Sequence, residues 1–491
     1  MLSTCMWYAL SEKTRQAQGT EAALTADRSA LTSLSDVLTD TKTLRLWYTD
    51  PALTEYLNYV AVAWHEEHDN VRLRPELVSA IEYLEAIQMA STDLDTPTPD
   101  LYLTTNDTLE KAYLAGMASK VALPDAWIKD NNYPDLKEEA AWQAVTYHGD
   151  SIAYPYYFES AALLYNRSYL EAAAKDTLED EKLQEGEALV GTEVPIAEEE
   201  ITERMNSYLP KTIADIMSFA DSYNAPDTVE AVFQWDVNDV FNNYFFIGEY
   251  LNVGGASGDD IAQIDIYNRD AISGMQIFQQ MNQFFAIDAD EVNSNTIIED
   301  FIAGKTVFTL ATTDAVRRIA QAQATGDCIY AYGAVPVPDL TEELNARPLS
   351  VTNCIVVNGY TEHPEIAHEI ARFMIADAWA VDPDFTHETG DAMMRMSGKC
   401  AAGSHAIYGN PMYEAYYESY VDSVPMSKLL ETANLWIYLE IAFTDVWNGA
   451  DANDTLRALS EQIMTQIAGE SYTENKISDP VPVTLEADED N

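Results

Sequence analysis

Acidic and amide side chains follow two predicted strands at the points where those strands end. Asp50 comes directly after the alternating apolar run 44–48, and Asn106 and Asp107 follow the run 99–103. Segments with helical periodicity lie between these runs, which predicts parallel strands joined by crossover helices. Carboxylate and amide oxygens at such a sheet edge can accept hydrogen bonds from ligand hydroxyl groups. We therefore expect Asp50, and at least one of Asn106 and Asp107, to contact a ligand, although both aspartates are also placed to cap a following helix.

Glu159 lies in a long apolar segment, residues 151–166, that also contains Pro155. Proline is rare at the centre of a parallel strand, so this segment is interpreted as a strand that leaves one sheet and enters a second. A carboxylate in so apolar a stretch is costly to bury unless it is paired or faces water. We expect Glu159 to face a cleft between two sheets, and the alternative is a salt bridge to an arginine. Thr312 ends a later strand and is a further candidate for hydrogen bonding to a ligand.

The chain of 491 residues has a formal net charge of −55, from 82 Asp and Glu against 27 Lys and Arg. A field of this sign repels phosphate backbones and anionic lipid headgroups, so no nucleic-acid partner and no electrostatic membrane docking are expected. The acidity either serves solubility alone or favours a cationic ligand. The length accommodates two or three domains, and the hydrophobic fraction of 47% is that of a globular protein.

The N-terminal residues and the cysteines each leave two interpretations open. Residues 2–5 resemble a lipobox that would direct lipidation of Cys5, but the apolar region that normally precedes it is missing from this sequence. Residues 1–41 are otherwise polar and predict a tether before the folded body. Cys328 and Cys354 are either two buried thiols or a disulfide, and with Cys400 they form no CxxC pair, so no metal site is expected.

Seven short blocks, in order, resemble the extracellular solute-binding protein family of ABC importers, the family that includes maltose-binding protein. The resemblance extends over most of residues 42–470 and is strongest at Tyr154–Asn166. Thr104 and Thr108 depart from maltose-binding protein, which has an aromatic and a basic residue there, and so does an acidic segment at 175–206. The blocks are residues 43–50, 99–107, 154–166, 211–215, 300–305, 364–375 and 434–436.

The resemblance implies an α/β fold, a two-lobed periplasmic-binding-protein-like clamp with a hinge between two mixed sheets covered by helices. Lobe 1 would comprise residues 42–158 and 311–376, and lobe 2 residues 159–310 and 377–470. Residues 175–206, which show no periodicity, would form a solvated acidic insertion in lobe 2, and 471–491 a frayed acidic tail. The resemblance also implies that Trp436 stacks on the ligand. Trp235 and Tyr244 lie where the family presents aromatic rings. All three side chains could instead pack in a core.

The function implied by the resemblance is that of a monomeric extracytoplasmic substrate-binding protein, periplasmic or at the cell surface. It would capture a carbohydrate, an oligosaccharide, by hinge closure and deliver it to the permease subunits of an ABC importer, with no catalytic residues, cofactor or metal. Two alternatives remain. The same clamp could bind a cationic ligand such as a polyamine or a metal, or a pair of carboxylates could make the protein a glycoside hydrolase.

Overall fold

The structure is a computed structural model that describes residues 41–93, 96–121, 123–124, 140–185, 195–379, 399–403, 411–483 and 485. Cys5 and all but the last residue of the predicted tether lie outside the described residues. The strands in these ranges are β1 Lys42–Tyr48, β2 Val71–Leu77, β3 Leu101–Thr105, β4 Thr146–Tyr147, β5 Asp150–Ser151, β6 Tyr154–Asn166, β7 Ala231–Phe233, β8 Thr306–Thr312, β9 Tyr332–Val335, β10 Leu349–Val357, β11 Cys400–Ala401 and β12 Val424–Pro425.

Several of the α-helices begin at a polar residue whose side chain caps the first turn. Thr212 and Asp215 form a capping box, and Asn166, Asn268 and Asp451 each accept a hydrogen bond from the first turn of a helix. The helices are α1 Thr54–Glu67, α2 Tyr83–Thr92, α3 Leu109–Leu114, α4 Ala140–Ala144, α5 Arg167–Gln184, α6 Glu198–Ser207, α7 Ile213–Ser222, α8 Val240–Asn243, α9 Arg269–Phe285, α10 Ser294–Ile302, α11 Asp314–Thr325, α12 Pro364–Trp379, α13 Pro411–Val421, α14 Leu435–Trp447 and α15 Ala452–Ala468.

The mixed sheet is organised around β6, a strand of 13 residues whose hydrogen-bond partners change half-way along its length. Its first half pairs antiparallel with β10, as far as Ser160 opposite Ser350. Its second half pairs with β8 and β9, beginning with Ala161 opposite Thr312. The strand order is β2-β1-β3-β10-β6-β8-β7. Among the described residues these strands form one connected sheet of ten strands, so β6 passes from one half-sheet to the other within it rather than between two separate sheets, and the two half-sheets form the two-lobed α/β fold.

Two hydrophobic cores flank this crossing strand. Tyr156 and Phe158 of β6 belong to the first core, and Leu163 and Tyr165 belong to the second. Residues 400–402 and 413–420, which were expected in lobe 2, contribute their buried side chains to the first core instead. The reason is that β11 pairs with the first half of β6, so α13, which follows it, packs on that side.

The interpretation of residues 175–206 as a solvated segment without periodicity is wrong for most of its length. Helices α5 and α6 extend over 167–184 and 198–207. Ala174 and Met205 are buried in the second core, and a bidentate pair from Arg204 to Glu181 joins the two helices at 2.8 and 2.9 Å. Charged residues with good helix propensity obscured a narrow apolar stripe.

The C-terminal tail is not frayed over its described part. Asn453 of α15 donates hydrogen bonds to the main-chain oxygen of Ile477 at 2.9 Å and to Asp479 at 2.6 Å. Leu485 is buried in the second core, and Val483 packs against it. The described part of the tail therefore contributes to the second core, although residues 471–483 form no helix or strand.

The thiols of Cys328, Cys354 and Cys400 are free and buried, so of the two interpretations of Cys328 and Cys354 the structure has the buried thiols. Within the described ranges, no helix combines the length and apolar character needed to cross a membrane.

A further connection between the lobes is the strap, defined here as residues 424–432. Its Met426 main-chain oxygen accepts a hydrogen bond from Asn106 at 2.7 Å, and its Leu430 main-chain nitrogen donates to Glu110 at 2.7 Å. The Lys428 ammonium is fully buried and donates to the main-chain oxygens of Ser257 and Gln143. Burial lowers the pKa of Lys428 to about 8, although Asp259 acts in the opposite direction. The strap thus contacts Asn106 and Glu110 on one side, and its buried lysine joins Gln143 to Ser257.

We predict that Lys428 makes stability rise with pH between about 8 and 10.4. In this window the folded protein releases the Lys428 proton before the unfolded chain does, so the unfolded state binds more protons and loses relative stability as pH rises. Compared with Lys428→Met in urea denaturation, the wild type should gain up to about 3 kcal/mol from pH 7 to 10.4.

Lys476→Met is the control, because Asp454 raises the pKa of the exposed Lys476. Its comparison with the wild type should show no gain over the same window. A stability difference between wild type and Lys428→Met that stays constant with pH would contradict the prediction.

Candidate ligand-binding site

A cavity of about 390 Å³ opens where β1 and β3 end, beside the first half of β6. Asp50 follows β1 and Thr104 and Thr105 end β3, so the parallel strands deliver these polar groups to one edge. Asp50 was predicted at this edge, whereas the two threonines line the cavity in place of the predicted Asn106 and Asp107. Tyr157 of β6 and Asn353 of β10 close the opposite wall. Hydroxyl, carboxylate and amide groups therefore surround this cavity together with an aromatic ring.

Asp50 acts both as a helix cap and as one member of an ion pair. One carboxylate oxygen accepts a hydrogen bond from the main-chain nitrogen of Ala52 at 2.9 Å, which caps the short 3-10 helix Pro51–Leu53. The other oxygen lies 3.1 Å from the Lys399 ammonium. The cap fixes the direction of the carboxylate, and 30% of the Asp50 side chain remains exposed.

Glu159 shares the same lysine. β11 pairs antiparallel with β6, with Cys400 opposite Phe158. Continuing this register by one residue brings Lys399 opposite Glu159, and its ammonium lies 3.4 Å from the carboxylate. The ammonium also lies 5.5 Å from the centre of the Tyr157 ring, within the range of a cation–π contact. The alternative of a salt bridge for Glu159 is thus realised with a lysine, while a third of its side chain, 33%, stays exposed.

The opposing carboxylates dominate the electrostatics of Lys399. Burial acts to lower the pKa of this lysine, but Glu159 and Asp50, with a smaller contribution from Asp314, raise it above its usual value. Lys399 is therefore a fixed positive charge at neutral pH, held between carboxylates from two different strands.

A second, smaller cavity of about 130 Å³ lies further along β6 and includes Thr312 in its lining. Tyr157, Glu159 and Ala161 alternate along β6 and share one face of the strand. Thr312 is directly opposite Ala161 and lies on that same face. At a rise of about 3.3 Å per residue, the two cavities are separated by roughly 13 Å with Glu159 between them. Asp239, Asn242 and Asp314 also line the second cavity.

Asn106 and Asp107 turn away from the first cavity. Asn106 is completely buried and accepts a hydrogen bond from the main-chain nitrogen of Thr352 at 2.8 Å, in addition to its bond to the strap. Burial raises the pKa of Asp107, and neither residue is part of the cavity wall. The structure gives the Asn106 side chain a positioning role beneath the site, through its bonds to Thr352 and Met426.

The chain also matches a known protein family. The family model described as bacterial extracellular solute-binding protein matches residues 59–381. The chain belongs to this family. The solute-binding protein is also 22% identical over 421 residues to the maltodextrin-binding protein MdxE of Bacillus subtilis strain 168, an alignment that covers 83% of this chain and 87% of that relative.

Solved structures with the same fold include an extracellular solute-binding protein of Staphylococcus aureus in complex with maltose, with a TM-score of 0.64, 14% identity, and coverage of 87% of this chain and 98% of that one. A cyclo/maltodextrin-binding protein complexed with maltotetraose gives a TM-score of 0.63 at 17% identity, with coverage of 88% and 99%. The maltose-binding protein of Listeria monocytogenes, in complex with maltose, gives 0.60 at 17% identity, with coverage of 89% and 100%. These similarities confirm the fold of the solute-binding protein.

The three aromatic candidates lie in the second core. Trp235 and Tyr244 have no exposed surface, and the Trp235 indole nitrogen donates to Asn243 at 2.8 Å. Trp436 is 8% exposed and packs against the ring of Tyr244, with centroids 6.1 Å apart. None of the three presents an open ring face in this conformation of the solute-binding protein.

Sequence reasoning missed Lys399, Tyr157 and Asp314. Tyr157 could have been found, because it lies two residues before Glu159 and therefore on the same face of β6. Asp314 follows the end of β8 in the same way that Asp50 follows β1. Lys399 carries no such signal, since its strand partner is 240 residues away along the chain. Among the described residues, no group of three or more His, Cys, Asp or Glu side chains is arranged to hold a metal ion.

We predict that Trp436→Ala destabilises the solute-binding protein, because it removes a nearly buried indole from the second core. The expected loss is about 3–5 kcal/mol, measured as a lower midpoint of thermal or urea denaturation. Ile437→Ala is the control on the same helix, since Ile437 is 57% exposed. Unchanged stability of Trp436→Ala combined with weaker ligand binding would show that the indole stacks on ligand instead.

Proposed function

We propose that the protein is the extracytoplasmic substrate-binding protein of an ABC importer and that it captures an oligosaccharide of the maltodextrin class. The observation that carries the proposal is the pair of carboxylates, Asp50 and Glu159, beside a cavity that is also lined by Thr104, Thr105 and Asn353. Sugars present a rim of hydroxyl groups, and carboxylates bind such groups more strongly than neutral acceptors do. The relatives named for maltodextrin, maltose and maltotetraose support the same ligand class.

Hinge closure at β6 is the proposed mechanism of capture. Ligand first occupies the larger cavity, and the second half-sheet then brings Thr312 and its neighbours towards it. Closure is driven by contacts that exist only in the closed state, and β6 is the covalent connection across which the lobes move. The closed form is the one that the permease subunits receive.

Binding without chemical turnover is part of the proposal. The family consists of solute-binding proteins, and both candidate carboxylates are engaged by Lys399 rather than arranged as a separate acid and nucleophile. Incubation of maltotetraose with the protein should therefore yield no shorter sugars in a chromatographic assay.

A lipid anchor at Cys5 also stays a proposal, which rests on the lipobox-like residues 2–5.

We predict that maltotetraose binds the wild type in isothermal titration calorimetry and that Glu159→Gln weakens this binding about 10- to 100-fold. This range corresponds to the roughly 1.5–3 kcal/mol of one hydrogen bond to a charged group. Glu230→Gln is the matched control, because Glu230 lies 3.3 Å from another lysine, Lys305, away from both cavities. Equal losses in the two variants, or no heat of binding for any maltodextrin, would reject the proposal.

A further inference from the structure

Lys399 occupies the position that a positively charged ligand would need. Its ammonium lies between Asp50 at 3.1 Å and Glu159 at 3.4 Å, and only 16% of its side chain is exposed. The ring of Tyr157, which lines the larger cavity, borders the same ammonium. Carboxylates from two strands and an aromatic ring are the groups with which proteins bind ammonium ions. In this protein, the Lys399 ammonium already occupies the position between these groups.

The position of Lys399 is determined by the backbone. β11 aligns with β6 so that the residue before Cys400 faces Glu159, and Cys400 itself is buried with 1% exposure. The buried neighbour anchors the main chain next to Lys399, which limits how far its ammonium can withdraw. A ligand ammonium would therefore have to approach a like charge or displace a lysine that is held at both carboxylates.

We propose that Lys399 is a charge-selecting residue of the binding site, which admits a neutral polyhydroxyl ligand and excludes a cationic one. This inference rests on the proposed function, since it concerns the ligand class of the same site. The two carboxylates keep free oxygen lone pairs for hydroxyl donors, because each oxygen can accept more than one hydrogen bond. They no longer offer an unpaired pair of negative charges to an amine.

The overall charge of the protein bears on this selectivity. A net charge of −55 attracts cations over the whole surface and raises their concentration near the cleft. This long-range attraction acts on polyamines but hardly on neutral sugars. The positive charge of Lys399 opposes this attraction locally, at Asp50 and Glu159.

The test is titration with spermidine at low and high salt, in calorimetry, for the wild type, Lys399→Gln and Lys399→Arg. We expect no saturable spermidine binding by the wild type or Lys399→Arg, because both keep the positive charge. Lys399→Gln should bind spermidine at least about tenfold more tightly than the wild type, and added salt should weaken that binding because it screens the charges.

Lys305→Gln is the matched control, since Lys305 bridges Asp300 at 3.1 Å and Glu230 at 3.3 Å outside the cavities. It should gain no spermidine binding. If Lys399→Gln does not fold, as judged by thermal denaturation, spermidine binding is compared between Asp50→Asn/Lys399→Gln and Asp50→Asn. The double variant also lacks the lysine but leaves one fewer carboxylate unpaired.

Two outcomes would overturn the inference: spermidine binding by the wild type as tight as by Lys399→Gln, or no gain in Lys399→Gln or in the double variant. Maltotetraose titrated into the same samples separates this result from the proposed function. Absence of maltotetraose binding in the wild type would reject the proposed function, while the spermidine comparison would still decide the role of Lys399.

Discussion

The change of hydrogen-bond partners along β6 is the constraint on which the site depends. β10 pairs with this strand as far as Ser160, and β8 pairs with it from Ala161 onwards. Glu159 therefore lies next to the point where β6 changes its hydrogen-bond partners, and its side chain faces the cleft between the lobes. The same geometry explains why Tyr157 and Thr312 lie on either side of it.

Those parts of the fold that depend on local pattern could be predicted from the sequence. The alternating run before Asp50 and the proline-containing apolar run around Glu159 both signal their structures directly. Helices α5 and α6 could not be found in this way, because ion pairs such as Arg204–Glu181 stabilise them where apolar periodicity is weak. The tail is held by Asn453, whose partner Ile477 lies 24 residues further on and carries no local signal.

Only part of the site could be predicted from the sequence, because some of its residues are placed by contacts that are distant along the chain. Asp50 could be placed because its carboxylate follows a strand, and Glu159 because an isolated carboxylate in an apolar strand requires a partner. Asn106 met the same strand-end criterion, yet its amide is used to hold Thr352 and the strap. Sequence position fixes the end of the strand but not the direction in which a side chain leaves it. Lys399 depends on a long-range register that no short motif encodes.

The unequal sizes of the two cavities bear on how capture proceeds. The cavity beside β1 and β3 is about three times as large as the one beside Thr312, with 390 against 130 Å³. Its polar groups are attached to strands of one half-sheet, so they are already positioned before the lobes approach each other. A sugar can therefore form its first hydrogen bonds without any cost of closure. In the proposed mechanism, the contacts to the Thr312 side are added only when the lobes close, and their free energy alone can favour the closed state.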